Sequence, residues 1–143
     1  MKRSFISSNS DDLTSSTYRT SVAYKPFTYT KITYLNVREA SPSYTVGQLP
    51  QSTRWNVILD QRLLKRLYLH TGYAEGRNSY YNTFDSSVIL RSDKTYLYNA
   101  RLSTRIFNRI ALTGLYQYRK NKSSDPLFSF SSSYVGGEIG YSY

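Results

Sequence analysis

The chain contains no cysteine, a single histidine and only nine acidic residues, and these shortages exclude several chemistries before any pattern is considered. Without thiols there is no disulfide framework, no thiolate metal site and no cysteine nucleophile. No run approaches the roughly 18 consecutive apolar residues of a membrane-spanning helix. The N-terminal MKRSFISSNSDD starts basic but offers only Phe5 and Ile6 where a secretory leader needs an apolar core, so it does not read as a signal peptide. What is present is 19 Lys+Arg, a net charge of +10, sixteen Tyr and six Phe in 143 residues. The mean hydropathy is -0.55. That length suits one domain. Tyr, Phe, Ile, Leu and Val recur throughout, which argues against disorder. An aromatic, Ser/Thr-rich composition favours strands.

Alternation is the dominant signal. In a strand, successive side chains point to opposite faces. From Thr95 to Phe107, Tyr96, Tyr98, Ala100, Leu102 and Ile106 fall on one face, and Asn99, Arg101, Ser103 and Arg105 on the other. Arg109–Arg119 repeats the split, with Ile110, Leu112, Tyr116 and Tyr118 against Arg109, Thr113, Gln117 and Arg119. So do Thr17–Lys25, Arg54–Leu63 (with Gln61 a polar interruption), Leu67–Gly76 and the C-terminal Tyr134–Tyr143. Phe27–Val37 leaves its phase open, because Ile32 and Tyr34 oppose Tyr29, Leu35 and Val37. Seven strand-like segments result.

Their connections alternate in length. Short ones are expected at Lys25–Phe27, Arg62–Arg66 and Phe107–Asn108. Long polar ones are expected at Glu39–Ser52, Arg77–Lys94 and Lys120–Ser131. A meander with strictly alternating short and long connections is the organisation of an outer-membrane-type barrel. If the last strand runs towards the short-turn side, Ser7–Ser16 is a long loop and Lys2–Ile6 the top of an eighth strand. Unpaired backbone in lipid costs several kcal/mol per group, so such a barrel has no open edge. Residues 1–143 then read as one β-barrel segment, the C-terminal part of a larger barrel. The missing strands lie upstream in the same parent protein or in another chain. A short eight-stranded barrel closing on residues 2–7 is the alternative.

The chain ends Tyr141-Ser142-Tyr143 with Val135 and Ile139 in phase. This resembles the C-terminal assembly signal of bacterial outer-membrane proteins, in which aromatic residues take the last and antepenultimate places. It departs from that pattern in carrying Glu138 where a Gly is usual, with Gly137 and Gly140 on either side. The run Tyr116-Gln117-Tyr118-Arg119 followed by NKSSDPLFS resembles the final hairpin of β-barrel porins, including those associated with exosortase and polysaccharide loci. The resemblance implies an up-and-down antiparallel transmembrane barrel in the bacterial outer membrane. It also implies the barrel assembly machinery as a partner, and a passive or export pore as the usual role.

The phase of the cations bears on function directly. Arg19, Lys25, Arg54, Arg62, Arg101, Arg105, Arg109 and Arg119 all fall on the polar face. A lipid-facing Arg or Lys near the midplane costs about 2–4 kcal/mol, so that face is the lumen side. Charged pore linings set selectivity, so these residues are candidates for a lumen that favours anionic solutes or glycans. The plainer alternative is that they pair with Asp60, Glu138 or carboxylates from other strands. Tyr24, Trp55, Tyr73, Tyr96, Tyr116 and Tyr118, with Tyr141 and Tyr143, fall on the apolar face and read as membrane-interface aromatics. Tyr68, Tyr80, Tyr81 and Tyr134 face inwards or lie in loops, where they pack or stack on sugars.

Other chemistries find little support. Single-stranded nucleic acid binding needs cations and aromatics on one face, and here they occupy opposite faces. His70 lacks a visible nucleophile–base–orienter spacing, so no catalytic residue is expected. The carboxylates show no metal-ligand clustering; Asp11-Asp12 reads as a solvated loop pair, and Gly136-Gly137 lies in a strand. No cofactor is expected. The sequence therefore points to a porin-like or export conduit with a basic lumen. The alternative is a structural sheath holding a plug or other lumen protein in the outer membrane.

Overall fold

The computed structural model describes residues 16–40, 48–82, 89–106 and 109–141. They form seven strands: β1 (Tyr18–Phe27), β2 (Thr30–Ala40), β3 (Gln48–Leu64), β4 (Leu67–Asn82), β5 (Ile89–Ile106), β6 (Ile110–Ser123) and β7 (Phe130–Tyr141). All belong to one antiparallel sheet whose spatial order is the sequence order. The fold is therefore all-β and up-and-down, as alternation predicts. Among the described residues β1 and β7 each pair on one side only, so the sheet is open. The proposed eighth strand at Lys2–Ile6 and the terminal Tyr143 lie outside the described residues.

Register carries the side-chain phase unbroken across the sheet. Directly paired residues share a face. One row runs Val22, Tyr34, Val57, Tyr73, Tyr98, Tyr118 and Ser133. The next row on that face is Tyr24, Ile32, Leu59, Thr71, Ala100, Tyr116 and Val135. These pairings settle the ambiguous segment: Ile32 and Tyr34 take the apolar face, Leu35 and Val37 the polar one. Gln61 also lies on the apolar side, opposite Thr30. The Thr30 hydroxyl donates to its Oε1 at 2.6 Å, and its Nε2 donates to the Arg62 carbonyl at 3.0 Å, which satisfies the interruption.

The strand ends differ from the sequence reading in two ways. β1 continues through Pro26 and Phe27, and the turn is Thr28–Tyr29. The register jumps from Tyr24↔Ile32 to Phe27↔Thr30, leaving Lys25 and Pro26 as a bulge. Proline has no N–H to give a ladder and is tolerated at such a place. The long connections are also shorter than expected, because the ladders continue through polar residues such as Ser52↔Asn78↔Asp93↔Ser123. With both faces polar there, hydropathy alternation has nothing to report. Backbone pairing alone extends the strands. Short turns stand at one end of the sheet, at Thr28–Tyr29, at Lys65–Arg66 and between Ile106 and Ile110. The strand ends Ala40, Gln48, Asn82 and Ile89 and the segment 124–129 stand at the other.

No packed core holds this sheet. Among the described residues Ala74 is the one buried apolar side chain, and no large side chain is fully buried. Ala74, Gly76, Asp93 and Asn121 are the buried residues, and all four lie on the polar face, which is thus the concave side. The apolar face is convex and uncovered.

The long-connection end has its own anchor. Asn121 is 8% exposed; its Oδ1 accepts from the Thr95 hydroxyl at 2.9 Å and its Nδ2 donates to the Phe128 carbonyl at 2.7 Å. Phe128 closes a 3-10 turn, Pro126–Phe128, capped by Asp125, whose Oδ1 accepts from the Leu127 amide at 3.0 Å. Proline at the first turn loses no needed N–H. Replacing Asn121 by Ala removes both of these hydrogen bonds, so a loss of about 1–3 kcal/mol is expected. Amide hydrogen exchange should quicken at Leu127–Ser129 while the β3–β4 pair stays unchanged.

Candidate functional site

The polar face places cations from one end of the sheet to the other. Arg19, Arg54, Arg101, Arg105 and Arg119 sit at polar-face register positions, as alternation predicts. Arg54 and Arg119 flank a hollow of 270 Å³ floored by Ala74, Gly76, Thr95 and Leu97. Small side chains open this space, since Ala74 and Gly76 leave room where larger residues would fill it. Towards the short turns, Lys65, Arg66 and Arg105 line a second hollow of 340 Å³ beside Tyr68 and Ser103. Arg101 lies between the two levels, opposite His70 on β4.

Two of the expected residues are placed otherwise. Arg109 precedes β6 and belongs to the turn after β5, because strand pairing ends at Ile106↔Ile110. Arg62 is committed locally: its Nε and Nη2 donate to the Lys65 carbonyl at 3.1 and 2.6 Å. Its guanidinium also lies 5.1 Å from the Tyr29 ring centre and 5.7 Å from that of Tyr68. Arg62 thus holds the β3–β4 turn, and Tyr68 serves as its platform. Arg119 lies 5.5 Å from the Phe130 ring.

Few carboxylates answer these cations. Asp60, a candidate arginine partner, instead bonds His70, Nδ1 to Oδ1 at 2.6 Å. Lys31, Asp60, His70 and Arg101 follow one another across β2 to β5, so an alternating set of charges and a titratable ring crosses the polar face. Among the described residues no arginine pairs with Asp60 or Glu138. The His70–Asp60 pair opens on a hollow of 270 Å³ that Lys25, Lys31 and Ser103 also reach. Ser103 is one row away from His70, and no hydrogen bond joins them among the described residues. No group of three His, Asp or Glu that could hold a metal occurs among the described residues.

The apolar face gathers its aromatics. Tyr24, Trp55, Tyr73, Tyr96, Tyr116 and Tyr118 all take this face by register. Trp55 meets Tyr73 edge-on at 5.1 Å; Tyr73 meets Tyr98 at 4.7 Å, and Tyr98 meets Tyr118 at 6.2 Å. Tyr98 is the centre of this ladder. Alternation puts it on the correct face, but only register shows that it meets two other rings, Tyr73 and Tyr118. Val135, Ile139 and Tyr141 line the same face of β7 in phase. They are strongly exposed, Ile139 at 80%, because β7 is an edge.

Alternation does not single out Arg91, which lies in a stretch that reads as loop. Its guanidinium is clasped between Tyr80 and Phe128, 3.9 Å from each ring centre, with Nε 3.3 Å from the Asp93 carboxylate. That Nε contact is an ion pair with no hydrogen-bond alignment. Asp93 in turn accepts from the Ser123 hydroxyl at 2.5 Å. Tyr80 is therefore a structural ring in this fold, binding the Pro126–Phe128 turn to the sheet through an arginine.

The ring ladder can be tested by a double-mutant cycle on Tyr73→Leu and Tyr98→Leu. Coupling of about 0.5–1.5 kcal/mol in unfolding is expected for rings in contact, beyond the two single losses. Additive losses would show that the rings are neighbours without attraction. Comparison with known proteins returns no matching family model, no matching curated protein and no matching solved structure, so the functional reading rests on this geometry.

Proposed function

We propose that this chain is part of an outer-membrane β-barrel whose concave, cation-bearing face lines an aqueous path biased towards anionic solutes. One observation carries the reading. From the Tyr73–Tyr98 row down to the short turns the register sorts cations onto one face and apolar residues onto the other, and among the described residues no core covers the apolar side. A soluble single-layer sheet would leave that apolar face in water, which monomeric soluble proteins avoid. Lipid covers it without any second layer.

The height of the apolar belt agrees. Along β5 it runs from Tyr96 to Ile106. Ten residue steps of about 3.4 Å give about 34 Å, which at a barrel-like tilt of about 40° projects to about 26 Å. Transmembrane barrels carry an apolar band about 25 Å tall. The two unpaired edges are then closed by further strands, of the same parent protein or another chain, since open edges are not tolerated in hydrocarbon. The end with the longer connections faces outwards.

Within the path, Arg54 and Arg119 stand at one level, Arg101 below them, and Arg105 with Lys65 and Arg66 at the short-turn mouth. Their cations attract anions, and the hollows keep them reachable by a hydrated solute. Chemical turnover plays no part in this mechanism; solutes diffuse along the wall.

Two expectations follow for the chain inserted in lipid. Leu102→Arg, on the apolar face, should lower stability in vesicles by about 2–4 kcal/mol, whereas Gln117→Arg on the polar face should cost far less. Equal costs would mean that the two faces do not see lipid and water. In planar bilayers the assembled protein should conduct and prefer anions, and Arg101→Gln with Arg105→Gln should weaken that preference. A complete barrel that passes no current, or keeps its selectivity in the variant, would overturn the conduit reading.

A further inference from the structure

Cations also occur on the apolar face, and they are gathered in one place. Above the aromatic ladder, towards the long connections, a single register row reads Arg38, Thr53, Arg77, Lys94 and Lys122 on β2 to β6. Lys120 joins from the row below, beside Tyr96. Side-chain contacts confirm the face: Lys122 Nζ lies 5.9 Å from the Tyr96 ring, and Lys94 Nζ 3.8 Å from Glu75 Oε1. Glu75 is itself 3.5 Å from the Tyr73 hydroxyl.

This arrangement is electrostatically unfavourable for the isolated chain. Arg77, Lys94 and Lys122 are directly opposite one another on three adjacent strands, spaced about 4.8 Å apart. Like charges so placed repel. Glu75 is the carboxylate in the adjoining row; Glu39 and Asp93 at this level point to the other face. Arg77, Lys94 and Lys122, with Glu75 the counter-charge found beside them among the described residues, are stabilised when an external anion lies across them. The span from β4 to β6, about 10 Å, accommodates more than one phosphate.

A second feature continues the site along the strands. Below the ladder the small side chains Thr71 and Ala100 leave a depression of 420 Å³, walled by Leu59, Tyr73, Tyr98 and Tyr116. It lies six residues from Lys94, about 20 Å along β5, within reach of an extended acyl chain hanging from a headgroup at the cationic row. Cations at one end and an apolar trough at the other fit a lipid, and a soluble anion would use only the first.

We infer that Arg77, Lys94 and Lys122 hold the headgroup of an anionic membrane lipid carrying two phosphates, with an acyl chain seated over Thr71 and Ala100. This site rests on the membrane reading above and adds to it a specific lipid on the leaflet beside the long connections. Arginine offers a planar fork to a phosphate and the lysines act as point charges.

The test uses the full chain together with the strands that close its edges, in phosphatidylcholine vesicles or detergent micelles, with cardiolipin as the two-phosphate probe. Protection from protease in phosphatidylcholine vesicles is scored first, since it reports insertion alone. Native mass spectrometry should then show cardiolipin retained over phosphatidylglycerol and phosphatidylcholine. Retention should fall about fivefold for each cation removed, and about a hundredfold in Arg77→Gln/Lys94→Gln/Lys122→Gln. Lys65→Gln, at the opposite end, should retain cardiolipin like the parent. The triple variant should melt higher than the parent in phosphatidylcholine, where repulsion is relieved, and lower when cardiolipin is present. If that variant fails to fold, Arg77→Gln alone and the salt dependence of retention in the parent decide the same question. Insertion with no preference among the three lipids overturns the lipid site and leaves the membrane reading standing. Pyrophosphate binding with the same variant sensitivity and no lipid preference overturns it in favour of a soluble phosphate. Failure of the closed barrel to insert overturns both.

Discussion

Everything in this molecule depends on an unbroken register. The side-chain period of a strand is two, so a slip of one residue in any pairing would turn that strand's apolar set to the polar side. Pairing carries the phase from Val22 through Tyr98 to Ser133 without such a slip. The irregularities are confined to strand ends, at Tyr24/Phe27, Arg62/Leu64 and Tyr80/Tyr81. Each lies beside a turn or long connection, where an extra residue bends the strand without disturbing the face below it. Two chemically distinct surfaces are thereby held a single peptide layer apart.

That constraint explains why stability and function are hard to separate in this chain. With Ala74 the one buried apolar side chain among the described residues, the sheet is not held by a core. Backbone ladders, edge-on ring contacts and local arginine clamps do the holding. Arg62 ties a short turn by bonding the Lys65 carbonyl, and Arg91 ties the far end by lying between Tyr80 and Phe128. Arg54 and Arg105, which carry no such clamp, line the hollows, as does Arg119. Cations that clamp turns and cations that line hollows are thus the same residue type.

The two faces also divide charge in opposite senses. On the concave side cations are spread along the strands, so a solute would meet them in sequence. On the convex side they are confined to one band above the rings, where on the proposed membrane reading hydrocarbon would give way to headgroups. On this face the ring and cation in contact, Tyr96 and Lys122, lie at that boundary. Elsewhere on the convex face the residues are apolar or small, as Thr71, Ala100 and Gly114 illustrate.

Alternation in the sequence determined that the chain is made of strands, which residues share a face, and that the connections alternate in length. It did so because each of those is a local property: Tyr96, Tyr98, Ala100 and Leu102 are in phase whatever they pair with. Only the tertiary structure decided the rest. It placed the turn at Thr28–Tyr29 because Pro26 fits a bulge, and carried strands on through polar ladders that leave no hydropathy trace. It gave Asp60 to His70, although charge alone would have assigned it to an arginine. It set Arg77, Lys94 and Lys122 side by side across three consecutive strands. Those outcomes follow from which strand meets which and in what register, and no window of sequence contains that information.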